Sequence, residues 1–377
     1  MSDSQSLPRW ADVILIPLIN ITLALAVSML IILAIGESPL EAIQVMINGA
    51  LGYDEAIGYT LYYTTNFIFT GLAVAVAFHA NLFNIGGEGQ AYIGGLGVGL
   101  AMLALSDALP FGLLLPLGIL SAALFGAAWA FIPAWLQAYR GSHIVITTIM
   151  FNFIASALMV YLMVHVLIAP GSMAPESVEF NQAAFLPYLH DWLHALGFEV
   201  AESPLNLSFI IALLCMAAVW IFVWHTRWGY ELRVFGQNEK AAAYAGIPAQ
   251  KIIIVTMCIS GALAGLVGIN EIQGVQHRLL LNFTAGYGFT GIAVSLMGRN
   301  HPVGIFLASL LFGMLYQGGA ELAFEMPNIT RELVVAIQGL IILFSGALTY
   351  MSKPWLEALF RRLPQRHTPA QEGSAHD

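Results

Sequence analysis

The sequence predicts an all-α, polytopic membrane protein, because it is very rich in apolar residues and very poor in charged ones. Of its 377 residues, 59% are hydrophobic and only 9% are charged. A soluble chain is about 45–50% apolar and about 25% charged, so this composition excludes a soluble enzyme and a disordered regulator. The net charge of −9, without a long basic run, also excludes a general nucleic-acid binder.

Ten segments are candidates for membrane-spanning helices, each of which needs about 20 apolar residues to cross a bilayer. The first follows a stretch that is polar but not basic, so we expect a retained span and not a cleaved signal peptide. Two of the ten are short and rich in glycine, namely 89–105 and 286–298. The full set is 13–35, 60–78, 89–105, 112–136, 144–168, 207–224, 252–270, 286–298, 302–318 and 332–350.

The positions of Lys and Arg predict the orientation, because cytoplasmic loops of membrane proteins carry an excess of these residues. With the N-terminus inside, eleven of the 13 cations fall on the cytoplasmic side. The loop 169–206 has five acids and neither Lys nor Arg, so we expect it outside, whereas 225–251 has four cations and is expected inside. The chain then consists of a cytoplasmic N-terminus (1–12), a transmembrane domain (13–350) and a cytoplasmic tail (351–377) whose end we expect to be disordered.

Glycine is concentrated in two clusters, seven residues within 86–99 and five within 286–304. Each cluster falls at the third span of a group of five spans. Because five is odd, the two groups would cross the membrane in opposite directions, as two inverted five-helix halves. Glycine-interrupted spans at matching places in inverted halves indicate a solute path near the midplane. Close packing of helices through small residues explains the glycines equally well, and both interpretations stay open here.

Polar residues accompany the first glycine cluster. We expect Asn84 to cap a helix that begins at Ile85, which places Glu88 and Gln90 in its first turns. A carboxylate at depth costs about 2.5–3.5 kcal/mol, so Glu88 needs a partner or a wet cavity, unless it lies solvated at the cytoplasmic edge. Amides within spans suit a neutral polar solute, although most of them only bridge helices. The candidate path residues are Asn84, Glu88, Gln90, Asn66, Asn152, Phe83 and Phe289, and Asn270 is a further amide inside a span.

The cytoplasmic loop 225–251 contains a short helix with clear start and stop signals. Asn238 is a candidate N-cap and Glu239 suits the first turn, while Gly246 and Pro248 end the helix after an alanine run. An alanine-rich face permits close approach of another protein. The alternative is a plain connecting helix between two spans.

The sequence offers little support for a metal site or for catalysis. His190 and His194 share one helical face, but no third ligand is evident, so we expect an amphipathic turn at the membrane interface and no metal. The chain lacks a GxxxxGK[ST] motif, so any ATP would be bound by another subunit. A membrane-embedded enzyme would need a cluster of His, Asp or Glu, and we find none beyond His190 and His194.

Three segments resemble the permease subunits of bacterial ABC importers, in the family that includes the ribose and branched-chain amino acid permeases. They are Asn84 to Gln90, Arg233 to Ile247, and Gly288 to Pro302, and the resemblance extends over roughly 60–350. Ribose permeases usually have a different segment where this chain has Asn-Ile-Gly-Gly-Glu-Gly, and this favours the nucleoside or simple-sugar branch. The sequence around 142–150 matches the family's usual pattern more loosely.

The resemblance implies a non-catalytic permease of the bacterial inner membrane that moves a nucleoside or related sugar-containing solute inward by alternating access. ATP and magnesium would bind to a partner ATPase, and this chain would need no cofactor. A second permease, identical or different, and an external solute-binding protein would complete the complex. The loop helix would be the coupling helix that contacts the ATPase through Gly236, Asn238, Ala241, Ala242, Ala245 and Gly246.

The competing interpretation is an ion- or proton-coupled secondary transporter of a small polar solute. The layout of ten spans in two halves fits that class almost as well. Such a transporter usually has ionisable residues inside its spans, and the sequence indicates Glu88 alone for this role.

Overall fold

A computed structural model describes residues 15–330, 332–341 and 343–344. The regular structure of these residues is helical, apart from two isolated β-bridges. Residues 38–334 form one compact unit, and the described parts of Met1–Glu37 and Val335–Asp377 form another. The predicted N-terminus and tail, and six of the cations used for the orientation, lie outside the described residues: Arg9, Arg331, Lys353, Arg361, Arg362 and Arg366.

Each of the ten predicted segments overlaps a helix. The long helices are α1 (Ile16–Ile35), α2 (Pro39–Leu51), α3 (Asp54–His79), α4 (Gly87–Leu105), α5 (Phe111–Arg140) and α6 (Ile144–His165). The helices that follow are α7 (Leu189–Ala195), α8 (Ser208–His225), α9 (Arg227–Gln237), α10 (Glu239–Tyr244), α11 (Ala249–Gly265), α12 (Tyr287–Met297), α13 (Pro302–Glu325) and α14 (Glu332–Ile341).

Six helical segments of the described chain are long and apolar enough to cross a membrane, or seven if a bent pair near the N-terminal end counts as one span. The six are Asp54–His79, Phe111–Arg140, Ile144–His165, Ser208–His225, Ala249–Gln276 and Pro302–Glu325. The glycine-rich α4 is not among them, and α12 and α14 are shorter apolar helices. The protein is therefore a membrane protein with several apolar helices. Helix length and composition support six or seven spans in the described chain, and the number of ten stays a prediction.

Helix α2 was not anticipated from the sequence. Ser38 accepts a hydrogen bond from the backbone N–H of Glu41, and Pro39 occupies the first turn, which suits it because that turn needs no backbone donor. The side chains of Gln44 and Asn48 interrupt its apolar residues, so a search for continuous apolar segments passes over it. It packs against α3 and α13.

Helix α3 lies at the centre of the unit formed by residues 38–334. Every residue from 64 to 77 is buried, and α3 packs against α8, α11, α12 and α13. In contrast, α5, α6 and α8 expose large apolar side chains, for example Leu124, Phe153 and Leu214. Exposed apolar faces of this kind are expected where helices meet lipid.

The contact between α5 and α11 depends on glycine. A Cβ atom on Gly126 would collide with the carbonyl oxygen of Gly261, and a Cβ on Gly261 would collide with Gly126. Gly94 of α4 lies in the same way against Gly265. Close packing of small residues therefore accounts for part of the first glycine cluster, as one of the two interpretations of the sequence required.

Candidate functional site

The carboxylate of Glu88 binds the N-terminal end of α12. It accepts hydrogen bonds from the hydroxyl of Thr284 at 2.6 Å and from the backbone N–H groups of Gly286 at 3.0 Å and Gly288 at 2.8 Å. A Cβ on Gly288 would overlap the backbone of Glu88, so the first turns of α4 and α12 approach closely. Glu88 thus has the partner that a carboxylate at depth requires, and its charge complements the positive end of the α12 dipole.

The turn before α4 is built differently from the prediction. Asn84 accepts from the N–H of Gly86 at 2.9 Å, and the helix begins at Gly87 and not at Ile85. The cap comes from another helix: the Asn152 oxygen on α6 accepts from the N–H of Gly89 at 2.9 Å. The predicted capping by Asn84 is therefore wrong. The N-cap position is Gly86, and Asn152 binds the N–H of Gly89, which has no partner within the helix.

The amides of Asn84 and Gln90 also bond to each other, at 2.8 and 3.1 Å. Asn84 donates to the Ser260 hydroxyl at 2.9 Å, and that hydroxyl donates to the Ala73 carbonyl of α3 at 2.6 Å. Asn152 donates in addition to the Ile85 carbonyl at 2.9 Å. Three of the predicted path residues, Asn84, Gln90 and Asn152, therefore use much of their hydrogen-bonding capacity to hold this turn and join helices.

A second acid, Glu271, is buried among polar groups that the sequence analysis did not connect with it. Its side chain is 2% exposed and lies on the π-helical segment Ile269–Gln276, which continues α11. The hydroxyl of Tyr62 and the amide of Asn66 donate to the same carboxylate oxygen, each at 2.6 Å, and Tyr287 also hydrogen-bonds to Glu271. The expectation that Glu88 is the sole acid within the spans is wrong, because the helix continues past the predicted end at residue 270.

Amide groups extend this polar cluster to the start of α8. Asn270 donates to the Asn66 oxygen at 2.9 Å, and the Asn270 oxygen accepts from Asn206 at 3.0 Å and from the Ser208 hydroxyl at 2.7 Å. The predicted path residue Asn66 therefore joins Glu271 to this network. The polar pairs connect α3, α8 and the π-helical segment.

Tyr62 and Tyr287, which bond to Glu271, belong to a group of five rings that we call the aromatic cluster: Tyr62, Tyr63, Phe67, Tyr287 and Tyr316. Neighbouring rings have centroids 4.9–6.2 Å apart, within the usual range for aromatic pairs. Tyr287 lies between Gly286 and Gly288 in sequence, and its hydroxyl reaches Glu271. The first turn of α12 therefore contacts both acids.

The two aromatic residues predicted for the path, Phe83 and Phe289, do not belong to the aromatic cluster. The ring of Phe83 packs against Phe78, with centroids 5.1 Å apart. Phe289 is 49% exposed on α12. In contrast, sequence reasoning missed the four tyrosines and Glu271, whose common feature is a position near the end of an apolar segment.

The loop between α8 and α11 has the predicted helix. Asn238 caps α10 by accepting from the N–H of Ala241 at 3.0 Å, and Gly246 ends it with a φ of 77°. Ala241, Ala245 and Gly246 are exposed and Tyr244 is 95% exposed, whereas Ala242 is fully buried. This helix therefore presents one face to solvent and anchors the other.

Helix α9 connects α10 to the end of α3, which in turn contacts the turn after α12. A Cβ on Gly236 would collide with the carbonyl oxygen of His79, the last residue of α3. The ring of His79 contacts the carbonyl oxygen of Asn300 at 3.0 Å, after α12. A cleft of about 190 Å³ lies where the α9–α10 junction faces the turn formed by residues 80–82.

The two histidines of α7 have partners within their own loop. The His194 ring contacts the carbonyl oxygen of Val200 at 2.7 Å, and the His190 ring stacks on Tyr188. Within the described ranges, no group of three or more His, Cys, Asp or Glu side chains is arranged to hold a metal ion.

Comparison with known proteins gives one family and several relatives. The family described as branched-chain amino acid transport system / permease component matches residues 56–346. The guanosine ABC transporter permease protein NupP of Bacillus subtilis is 36% identical over 90% of this chain and 95% of its own length. The glucose ABC transporter permease protein TsgB13 of Haloferax volcanii is 35% identical, over 87% and 86%. The nucleoside ABC transporter permease protein NupB of Lactococcus lactis is 34% identical, over 88% and 90%.

Proposed function

The chain belongs to the family of branched-chain amino acid transport system permease components, and from this premise we propose that it is the membrane subunit of an ABC importer for a nucleoside or related sugar-containing solute. Two of the relatives named above carry nucleosides and one carries glucose, according to their names. The polar groups around Glu271 and Asn66 are suited to hydrogen bonding with such a neutral solute.

The observation that carries the proposal is the presentation of α10. Its exposed face carries Tyr244, whose large aromatic ring is left in contact with solvent. The small side chains of Ala241 and Ala245 lie beside it. An aromatic residue surrounded by small ones suits insertion into a cleft of a partner protein. We propose that this partner is the ATPase that binds ATP and magnesium, so that this chain is not itself an enzyme and needs no cofactor.

A movement of α10 could be passed to the solute path through direct contacts. Gly236 of α9 lies on the carbonyl of His79, so α9 and the end of α3 are expected to move together. The turn after His79 leads to Asn84 and then to Glu88, which holds the first turn of α12. Alternating access would follow from a change at the contact between α4 and α12.

The proposed organisation of the complex follows the sequence analysis. It has ten crossings in two inverted five-helix halves, with 1–12 and 351–377 in the cytoplasm of a bacterium and 13–350 in its inner membrane. The loop 169–206 would face outward and receive a solute-binding protein. A second permease, either a different chain or a second copy, would complete the pathway.

An ion- or proton-coupled secondary transporter is the second candidate, and the burial of Glu271 is the observation that favours it. Buried acids in membrane proteins often serve proton relays. An importer driven by ATP needs no such residue, so the two candidates differ in their energy source and in their partners.

The test is purification of the tagged chain from its native membranes in mild detergent, with mass spectrometry of the proteins that co-purify. We expect a stoichiometric P-loop ATPase, and uptake that stops when ATP is depleted but persists when a protonophore dissipates the proton gradient. A homo-oligomer without an ATPase, together with uptake abolished by the protonophore at normal ATP, would establish the secondary transporter instead.

A further inference from the structure

Glu271 is a buried carboxylate whose contacts are with neutral donors. Such a charge is costly to hold among helices in a membrane, and residues of this kind usually mark the path of a ligand or proton. Tyr62 and Asn66 both donate to one of its oxygens. Glu271 takes no part in the ion pairs that join Arg227 to Glu231, Arg278 to Glu176 and Glu179, and His190 to Asp191.

The backbone around Glu271 also departs from a regular helix. The eight residues of Ile269–Gln276 are π-helical. Segments of this type are rare and occur frequently at functional sites. A π-helical turn changes the direction in which successive side chains point, and here both Asn270 and Glu271 contact Asn66 of α3.

The aromatic cluster supplies the apolar part of a site beside this carboxylate. Phe67 is fully buried and packs edge-on against both Tyr287 and Tyr316. The hydroxyls of Tyr62 and Tyr287 turn toward Glu271, while the Tyr316 hydroxyl meets that of Thr290 at 3.1 Å. Flat rings, one carboxylate and several amides are thus gathered within the helices of one compact unit.

We propose that Glu271, Asn66 and the aromatic cluster bind the base of a nucleoside, and specifically a base with two adjacent N–H donors, as in guanine. Proteins hold single bases by hydrogen bonds to their Watson–Crick edge and by stacking on aromatic side chains. A carboxylate accepts two neighbouring N–H groups, and the Asn66 amide can then donate to the adjacent carbonyl oxygen of the base. In the absence of solute, the hydroxyl of Tyr62 and the amide of Asn66 take the place of those donors on Glu271.

This inference rests on the proposed function and adds the chemistry of the solute to it. A sugar without a base offers hydroxyl donors but no flat, conjugated ring to stack upon the half-buried rings of Tyr63 and Tyr316. The sugar of a nucleoside would instead project from the aromatic cluster toward the amides of Asn270 and Asn206, which hydrogen-bond to each other.

The experiment measures binding of tritiated guanosine to the purified membrane complex in detergent, with wild-type chain or with Glu271→Gln. The proposed solute-binding protein is left out, because it would select the solute before this chain does. Unlabelled guanosine, 1-methylguanosine and ribose are the competitors, and 1-methylguanosine lacks one of the two N–H donors. Glu88→Gln is the matched control, because it makes the same chemical change in the acid that binds α12 and not the aromatic cluster. The amounts of chain and of co-purified ATPase are measured for every variant.

We expect guanosine to compete about tenfold or more better than 1-methylguanosine in the wild type, since a lost hydrogen bond to a charged group changes affinity by this order. Glu271→Gln should lower the affinity for guanosine about tenfold and remove the difference between the two competitors. Glu88→Gln should leave the ratio of the inhibition constants of the two competitors unchanged. If Glu271→Gln does not assemble, Tyr287→Phe, which removes only a hydroxyl, should also reduce that ratio.

An unchanged ratio between the competitors in an assembled Glu271→Gln complex, or in Tyr287→Phe if Glu271→Gln does not assemble, would overturn the inference. Competition by ribose equal to that by guanosine would also overturn it. Either result leaves the importer intact if the ATPase co-purifies and uptake of a solute depends on ATP. Absence of both the ATPase and ATP-dependent uptake would instead refute the proposed function.

Discussion

Asn152 shows how a single amide inside a span is used in this protein. From the sequence, an amide in the middle of a span could bind a solute or bridge two helices. The structure places it at the first turn of α4, where it accepts from Gly89 and donates to Ile85. Capping is normally done by a residue just before the helix, but Gly86 stands there and has no side chain to do it.

Replacement of Asn152 by Ala should therefore destabilise the turn that holds Glu88. Loss of a helix cap costs about 1 kcal/mol, and the Ile85 carbonyl loses its donor as well. We expect a lower midpoint of thermal unfolding for the purified chain in detergent, with Asn152→Asp between wild type and Asn152→Ala because it keeps the acceptor for Gly89. Asn48→Ala on α2 is the control, and equal midpoints for all four proteins would contradict the assigned cap.

The two acids differ in how far the sequence could identify them. Glu88 interrupts an apolar segment with glycine on both sides, so it stands out in the sequence, but its partners Thr284 and Gly288 lie about 200 residues away. Glu271 falls just beyond the predicted end of a span and looks like a residue of the following loop. Its burial is decided by Tyr62 and Asn66, which another helix contributes.

At the scale of elements, α10 was predicted almost to the residue. Its start and stop signals are local, since Asn238 caps the N–H three residues ahead and Gly246 takes a positive φ that suits a residue without Cβ. In contrast, the neighbouring elements of the structure decide which face of α10 is exposed, and the sequence of α10 itself does not. Ala242, which the resemblance places in the contact with the ATPase, is fully buried, and the neighbouring Tyr244 is 95% exposed.

The exposed tyrosine gives a sharper test of the partner surface than the buried alanine does. Tyr244→Ala removes a ring that contacts solvent in the isolated chain, so we expect normal stability but reduced retention of the ATPase during purification. Large aromatic residues at the centre of an interface often contribute about 2 kcal/mol or more. Tyr230→Ala, at a 59% exposed tyrosine of α9, is the control.

Ala242→Arg should act differently from Tyr244→Ala, because a buried alanine leaves no room for the larger, charged side chain. We expect it to lower the stability of the loop itself, seen as increased proteolysis between α8 and α11.

Full retention of the ATPase by Tyr244→Ala would show that this face of α10 is not the docking surface.

For the whole molecule, orientation in the membrane is the property most open to direct measurement. Ala201 in the loop 169–206 and Ala243 in α10 are both exposed. In a chain with Cys215 and Cys258 replaced by Ala, we expect an impermeant thiol reagent to label Ala201→Cys in intact cells and Ala243→Cys only after permeabilisation. Labelling of both positions in intact cells, or the reverse pattern, would contradict the predicted orientation.

The sequence by itself determined the class of the protein, the position of most of its apolar helices and the boundaries of α10. These features depend on composition and on interactions between residues close in the chain, such as hydrophobic transfer into a bilayer and capping. Only the tertiary structure decided which polar residues meet. Glu88 meets the first turn of α12, and Glu271 meets Tyr62 and Asn66, because helices distant in sequence pack together there. The energy of a buried polar group depends on the partner that packing brings to it, and spacing along the chain does not encode that partner.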